Sequence, residues 1–353
     1  MDLFPIYVRQ GKSRTRYKVG YINVSGLVVI DPIFDDGTRY YEGLASVKVG
    51  RHWGFIDASG NFVVPPTLAS WARFREGLSI TPMGRKGLHA VIDKAGNVVI
   101  PAKYPYLGDF REGLALFRNG PGDALTRFGF LDRSGREVIP AVFHSAKCFS
   151  EGLAAARVRD RWGYIEHSGV FNITPHFDAS RIGPLRSEDT EIGNFSQGLA
   201  YAWGANGYGF IDKTGSFVTR DDFEQADDFR EDRARIRLKQ QKRFGYIDLS
   251  GSIVIEPRFP SASVYFSDGV ASVKEKEDRP DYSKGLASVK LDQMAPRGFI
   301  DLDGNMVIEP RFFSTQSFHS GLCLVETQKT IGYINKKGQY VWEGPYVEYG
   351  IAL

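Results

Sequence analysis

Short apolar runs separated by a four-residue polar turn recur along the whole chain. In one copy, Trp53-Gly-Phe-Ile and Phe62-Val-Val flank a turn that begins at Asp57 and ends at Gly60. Asp accepts hydrogen bonds from its own turn backbone, and Gly adopts a positive φ without steric cost. The pattern predicts a hairpin of two short strands joined by a type I turn with a Gly bulge. The turn pairs are Asn23/Gly26, Asp57/Gly60, Asp93/Gly96, Asp132/Gly135, Glu166/Gly169, Asp212/Gly215, Asp248/Gly251, Asp301/Gly304 and Asn335/Gly338.

A third apolar run follows each hairpin. In most copies a Pro such as Pro65 marks the predicted end of the second strand, because Pro cannot donate to a ladder. A loop then leads to a Glu-Gly-Leu-Ala element such as Glu42–Ala45, and the alternation that continues to Lys48 predicts a third strand with one solvated face. Each repeat is therefore predicted to contain about three short antiparallel strands.

The repeats predict one continuous array over residues 1–353. A single copy cannot bury its apolar face, so neighbouring copies must pack on each other. We place a partial strand at residues 4–9 before the first copy and a cap at residues 343–353 after the last. The copies begin near residues 18, 52, 88, 127, 161, 207, 243, 297 and 330.

Two architectures remove exposed strand edges: a curved solenoid with capped ends, or a closed propeller-like ring. Propeller blades typically contain four strands and about 40 to 50 residues. Because these copies are mostly shorter and read as three strands, the sequence favours the solenoid and keeps the ring as the alternative.

The repeated residues also carry a family resemblance. Trp53-Gly-Phe-Ile-Asp57 and Trp162-Gly-Tyr-Ile-Glu166, with the Gly, Pro and Glu-Gly-Leu-Ala elements that follow, resemble the bacterial WG (KWG) repeat family. The similarity covers residues 5 to 345. It implies a bacterial all-β repeat protein and no particular activity, catalytic motif or cofactor.

The composition narrows the class of protein. The net charge of +3 argues against a dedicated nucleic-acid binder, and the two cysteines, Cys148 and Cys323, favour a reducing compartment over a disulfide scaffold. The sequence starts without a signal-peptide pattern and contains no long apolar run, so we expect a cytoplasmic protein with no membrane contact.

No catalytic or metal-binding motif appears. The six histidines are scattered, and the chain has no zinc-hydrolase, phosphate-loop or nucleophile-elbow spacing. The segment from Asp301 to Asn305 has only a superficial likeness to a calcium loop. We therefore predict no cofactor and no enzyme activity. Carboxylates at one rim, such as Asp178, Asp221 and Asp222, are the candidates for a glycan-directed site, which no spacing favours.

Three departures from the repeat are the candidate interaction elements. One is the insertion at 181–197, which is either a recognition loop or a tolerated surface insertion. Another is the duplicated segment at 274–290, which is either a binding element or the result of a copying event. The third is a basic stripe from Arg233 to Arg243, which suits an anionic partner or a neutralised outer face. The candidate partner-binding residues are Arg181, Arg186, Asp189, Trp203, Arg233, Arg235, Arg237 and Lys239.

The function predicted from the sequence is a non-enzymatic scaffold that binds a protein partner, with a neutralising or docking role by analogy with other repeat binders. The alternatives are binding of an anionic ligand or nucleic acid through residues 233–243, and binding or processing of a glycan. The partner and the oligomeric state are not specified by the sequence.

Overall fold

The protein is all-β, as the sequence predicted. The computed structural model describes residues 2–13, 15–84, 87–120, 125–179, 192–276 and 295–347. No helix occurs in these ranges, and thus none that is long and apolar enough to cross a membrane.

The described strands pair antiparallel in eight sheets. The first sheets of the chain comprise β1 (Phe4–Arg9), β2 (Tyr17–Ile22) and β3 (Val28–Phe34); β4 (Asp36–Tyr41), β5 (Leu44–Val49), β6 (His52–Ile56) and β7 (Phe62–Leu68); β8 (Phe74–Arg75), β9 (Leu78–Met83), β10 (Leu88–Asp93) and β11 (Val98–Tyr104); β12 (Tyr106–Leu107), β13 (Leu114–Arg118), β14 (Phe128–Asp132) and β15 (Glu137–Phe143).

The remaining sheets comprise β16 (Ser145–Ala146), β17 (Ala154–Val158), β18 (Arg161–Ile165) and β19 (Phe171–Asp178); β20 (Ala200–Trp203), β21 (Tyr208–Ile211), β22 (Phe223–Ala226), β23 (Ala234–Leu238), β24 (Phe244–Ile247) and β25 (Ile253–Phe259); β26 (Ser261–Ala262), β27 (Val270–Lys274), β28 (Arg297–Asp301) and β29 (Met306–Phe312); β30 (Ser314–Thr315), β31 (Leu322–Glu326), β32 (Thr330–Asn335) and β33 (Tyr340–Pro345).

Most sheets have four strands instead of the predicted three. The additional strand is the first one, and it often contains only two residues, as in β12 and β16, so no alternating pattern reveals it. The second strand begins at a Glu-Gly-Leu-Ala element, and the third and fourth strands form the hairpin with the Asp-to-Gly turn. We number the repeats one to nine by that turn; the six-stranded sheet contains repeats six and seven.

The sheets form a closed propeller ring, so the favoured solenoid was wrong and the alternative is supported. Tyr333 Oη donates to the carbonyl of Pro5 at 3.0 Å, and the Phe4 and Tyr333 rings are 5.4 Å apart. Leu3 and Phe4 share one buried core with Leu322 and Tyr333. The first and last sheets therefore pack on each other.

The hairpin geometry is confirmed. In repeat two, Gly60 has φ +83°, and Asp57 Oδ1 accepts from the backbone N–H of Ser59 and of Asn61 at 2.9 Å each. The Gly before the aromatic residue lets the third and fourth strands approach each other closely. A Cβ on Gly54 would lie 2.6 Å from the Val64 carbonyl oxygen.

The Pro that recurs in most repeats lies at a different place in the strand from the predicted one. Pro65 lies inside β7 instead of ending it. This is possible because β7 is the edge strand of its sheet and needs no donor on its free side.

Aromatic pairs join neighbouring repeats. The ring in the third strand of one repeat packs on a ring of the next repeat at centroid distances of 4.7 to 5.4 Å. These contacts bury the apolar sheet faces that no single repeat can cover. The pairs are Tyr21–Tyr40, Phe55–Phe74, Phe130–Phe149, Tyr164–Phe195, Phe210–Phe229, Tyr246–Phe266, Phe299–Phe318 and Tyr333–Phe4.

In repeats two to five, the Glu of the Glu-Gly turn links its repeat to the next one. Glu76 Oε1 accepts from the backbone N–H of Glu112 at 2.6 Å, and its Oε2 accepts from that of Gly113 at 2.9 Å. Glu151 and Glu231 bind the following turns in the same way. These turns and the Asp-to-Gly turns lie at the same end of an antiparallel sheet, which we call the turn face.

Candidate binding surface at the ring axis

The first strands of the sheets lie at the axis of the ring. Cys148 of repeat five lies within electrostatic range of Arg111 in repeat four and of Arg75 in repeat three, as is expected near the centre of a ring. The fourth strands carry the exposed apolar side chains, such as Val28 and Val63, and form the outer wall.

Three arginines from two neighbouring repeats meet at the axis. Arg73 and Arg75 flank the buried Phe74 of repeat three, and Arg111 follows the buried Phe110 of repeat four. Arg75 and Arg111 directly precede Glu-Gly turns, so they lie at the turn face. We call Arg73, Arg75 and Arg111 the axial arginine group.

One carboxylate, that of Asp109, pairs with an arginine of this group. Arg73 donates from Nε and Nη2 to Asp109 Oδ2 at 3.0 and 2.6 Å, and its guanidinium lies 5.8 Å from the Tyr41 ring. Arg75 and Arg111 have no hydrogen bond or ion pair from their guanidinium groups to any described residue. The group therefore carries two cations in excess of its single acid.

The surroundings of Arg75 disfavour its charge. Burial lowers the pKa of the Arg75 guanidinium, and the nearby charge of Arg111 lowers it further. Burial likewise raises the pKa of the neighbouring Cys148 thiol, which argues against a reactive thiolate at this place. An anion that pairs with Arg75 would relieve the unfavourable desolvation and repulsion.

An acidic group occupies another part of the axis. Asp228 Oδ1 accepts from the backbone N–H of Asn194 at 3.1 Å, and Asp227 pairs with Arg235 at 2.8 Å. Burial raises the pKa of Asp228 to about 6, although Lys147 and the Asn194 side chain oppose the rise. The axis is thus polar and carries groups of both signs, including Arg39 of repeat two and Arg230 of repeat seven.

The predicted basic stripe does not form an exposed surface. Arg235 is 9% exposed, pairs with Asp227 and donates to the Ala262 carbonyl at 2.6 Å. Arg237 pairs with Glu224 at 3.0 Å, and both guanidiniums lie over the Phe244 ring.

The two ends of the stripe bind backbone carbonyl groups. Arg233 donates to the Leu302 carbonyl at 3.1 Å, and Lys239 donates to the Asn206 carbonyl. The stripe therefore stabilises contacts within the ring.

The other predicted site residues are dispersed. Arg181, Arg186 and Asp189 lie outside the described residues, as does most of the duplicated segment at 274–290. Trp203 is half-buried against the Tyr208 ring at 4.8 Å, with its indole N–H buried without a hydrogen-bond partner.

The rim carboxylates are engaged locally. Asp178 lies 3.8 Å from Arg161, Asp221 accepts from the Ala205 N–H at 2.8 Å, and Asp222 pairs with Arg220. The Asp301 loop is an ordinary turn, and no group of three metal-ligating side chains occurs in the described ranges.

Sequence reasoning missed the axial arginine group. Arg75 and Arg111 occupy the same position in successive repeats, one residue before the Glu of the Glu-Gly turn. Alignment of the repeats on that turn was the available signal, but nothing in the linear sequence placed this position at the axis.

Comparison with solved structures gives distant similarities. Apo AztD from Citrobacter koseri has a TM-score of 0.46 at 11% identity, over 98% of this chain and 95% of that chain. Hsv2 from Kluyvelomyces marxianus gives 0.38 at 9% identity, over 72% and 96%. Virginiamycin B lyase from Staphylococcus aureus gives 0.36 at 12% identity, over 76% and 91%. These likenesses carry no functional argument.

Comparison with sequences identifies the family. The search of curated proteins finds no match. The family model described as WG containing repeat matches residues 20–51, 53–81, 91–120, 128–162, 208–240, 244–277 and 298–329, which together are more than half of the chain. The chain therefore belongs to the family of WG-repeat proteins.

Proposed function

We propose that this protein is a non-enzymatic binding scaffold that docks an acidic segment of a protein partner at the axial arginine group. The observation that carries the proposal is the pair Arg75 and Arg111, which lie at the turn face near the axis without a carboxylate partner among the described residues. No catalytic step is part of the proposal.

The chemistry of the group favours carboxylates. Guanidinium groups bind carboxylates through paired, charge-assisted hydrogen bonds. Asp109 holds Arg73 in a fixed orientation, so the arginine group is partly preorganised before a partner arrives. The group opens at the turn face, where the side chain of Arg111 is exposed. Protein side chains that project from a partner surface have access to it there.

The test is a fluorescence-anisotropy titration with a short labelled polyglutamate peptide. The double variant Arg75→Glu/Arg111→Glu is expected to bind the peptide at least about 100-fold more weakly, or about 2.7 kcal/mol, because it replaces attraction by repulsion. The control Arg51→Glu/Lys329→Glu changes the net charge equally at exposed loops at the opposite end of the sheets. It should change the affinity by no more than about twofold.

Two outcomes would contradict the proposal. Equal losses in the two double variants would mean that the peptide responds to overall charge and not to a site. Tighter binding of an oligothymidylate of equal charge, with a steep dependence on salt, would favour a nucleic-acid partner.

A further inference from the structure

Repeat five departs from the other repeats at three aligned positions. The first turn residue is Asp or Asn in the other eight copies and Glu166 here, and the next residue is His167, the only His at that position. On the fourth strand, Asn172 replaces a Val that occupies this place in every other repeat. The equivalent valines are Val29, Val63, Val99, Val138, Val218, Val254, Val307 and Val341.

All three departures line one cleft. It has a volume of about 390 Å³ and lies on the turn face between repeats five and six. Glu151, Ser168 and Lys213 complete its polar lining. This volume is within the range of small-molecule sites, roughly 300 to 1,000 Å³.

The longer side chain frees the carboxylate of Glu166. In the neighbouring repeat, Asp212 Oδ1 accepts from the backbone N–H of Thr214 and of Ser216. In repeat five, the Ser168 hydroxyl accepts from the Val170 N–H at 3.3 Å instead. The carboxylate of Glu166 and the amide of Asn172 are exposed and have no partner among the described residues.

The other charged groups of the cleft are already paired. Lys213 Nζ lies 3.5 Å from Glu151 Oε2 and donates to the Glu151 carbonyl at 2.8 Å. His167 stacks on the Phe149 ring at 4.2 Å, with Nε2 placed 3.3 Å from Glu112 Oε2. The unbalanced charge of the cleft is therefore the single negative charge of Glu166.

We propose that this cleft binds a small hydroxylated amine of the size of an amino sugar. The carboxylate of Glu166 pairs with the ligand ammonium group, and the Asn172 amide supplies a donor and an acceptor for a hydroxyl group. The stacked imidazole of His167 forms a fixed wall. This site is separate from the axial arginine group and does not depend on the function proposed for it.

Calorimetric titration with glucosamine tests the site. Glucosamine is expected to bind with a dissociation constant in the range of about 1 mM, and N-acetylglucosamine, which lacks the charge, at least about 10-fold more weakly. Glu166→Gln should weaken glucosamine binding by at least about 10-fold, because it removes the charge-assisted hydrogen bond.

The double variant Glu166→Asp/Asn172→Val restores the residues of the other repeats. It should keep or raise the melting temperature and lose detectable glucosamine binding. The matched control Val254→Asn, at the same position in repeat seven, should bind glucosamine as the unaltered chain does. Binding retained by the double variant, equal affinity for both sugars, or no binding at about 50 mM glucosamine would each overturn the proposal.

Discussion

A left-handed glutamate at the turn face shows how one residue can be strained locally and stabilising overall. Glu42 and Gly43 have φ values of +51° and +85° in the tight turn between β4 and β5, the first two strands of repeat two. A non-glycine residue in this region costs roughly 1 kcal/mol. The Glu carboxylate offsets this cost, because it accepts the Gly77 N–H of the next repeat at 2.8 Å. The repeated Glu-Gly pair of this chain therefore specifies both a turn and an inter-repeat contact.

Asp228 gives a prediction at the residue scale. Burial raises the pKa of Asp228 from its ordinary value of 3.8 to about 6 in the folded protein. The folded state therefore binds the proton more tightly, and the resulting stability is present at low pH and is lost as the pH rises through 6. This group should stabilise the protein by about 1.4 kcal/mol more at pH 5 than at pH 8.

Asp228→Asn should remove this difference. Urea unfolding at the two pH values measures it, with the unaltered chain as the reference. The variant's free energy of unfolding, relative to the unaltered chain, should be about 1.4 kcal/mol higher at pH 8 than at pH 5. A relative stability that is the same at both pH values would show that Asp228 is not desolvated.

At the scale of strands and turns, the contacts between repeats follow a fixed pattern with local variations. Where the third-strand aromatic is Tyr, its hydroxyl reaches a backbone carbonyl of the next repeat, as Tyr164 does with Gly193 at 2.8 Å. Where it is Phe, as at Phe130, the ring contact alone remains. Repeat six lacks the usual Pro, and its fourth strand keeps only the pairings of Ile211 with Phe217 and of Tyr208 with Phe223.

Removal of one Glu carboxylate that joins two repeats should weaken the interface between them. Glu76→Ala leaves the backbone N–H groups of Glu112 and Gly113 without their acceptor, and we expect a loss of about 1 to 2 kcal/mol in the free energy of unfolding. Glu256→Ala, at an exposed fourth-strand position, is the control and should change stability by less than about 0.5 kcal/mol. Equal effects of the two substitutions would show that the Glu76 contact contributes nothing to the free energy of unfolding.

At the scale of the whole molecule, closure decides the architecture. The last repeat contributes Tyr333 and Ser320, which donate to Pro5 and Asp2 respectively. A closed ring has no terminal repeat with an uncovered face, so it needs no cap of the kind that a solenoid requires.

Phe4→Ala tests the closure. Phe4 is 2% exposed between the first and last repeats, so its truncation should cost about 3 to 5 kcal/mol. Because the ring is expected to unfold as one unit, far-UV circular dichroism and tryptophan fluorescence should report the same lowered midpoint. Phe149→Ala, inside the ring, is the control for cavity formation and should behave alike. A negligible effect of Phe4→Ala alone would argue for an open array.

Much of the local structure could be predicted, because its causes lie within a few residues. The turn from Asp57 to Gly60 follows from an Asp that accepts turn N–H groups and a Gly at positive φ. The two-residue first strands were missed, because two residues show no period. The basic stripe was misjudged as a surface, because the alternation of Arg235 and Ile236 shows only that they face opposite ways. The alternation does not reveal that the side chains on both faces of this strand are buried within the ring.

The sequence by itself determined the all-β class, the nine turns and the need for neighbouring repeats to pack, since each follows from backbone rules and apolar patterns that act over short distances. Only the tertiary structure decided that the array closes, because closure depends on the summed rotation of all repeats and on contacts such as Tyr333 to Pro5, 328 positions apart. The packing of repeats three and four brought Arg73, Arg75 and Arg111 together, and the packing of repeats five and six placed Glu166, His167 and Asn172 around one cleft.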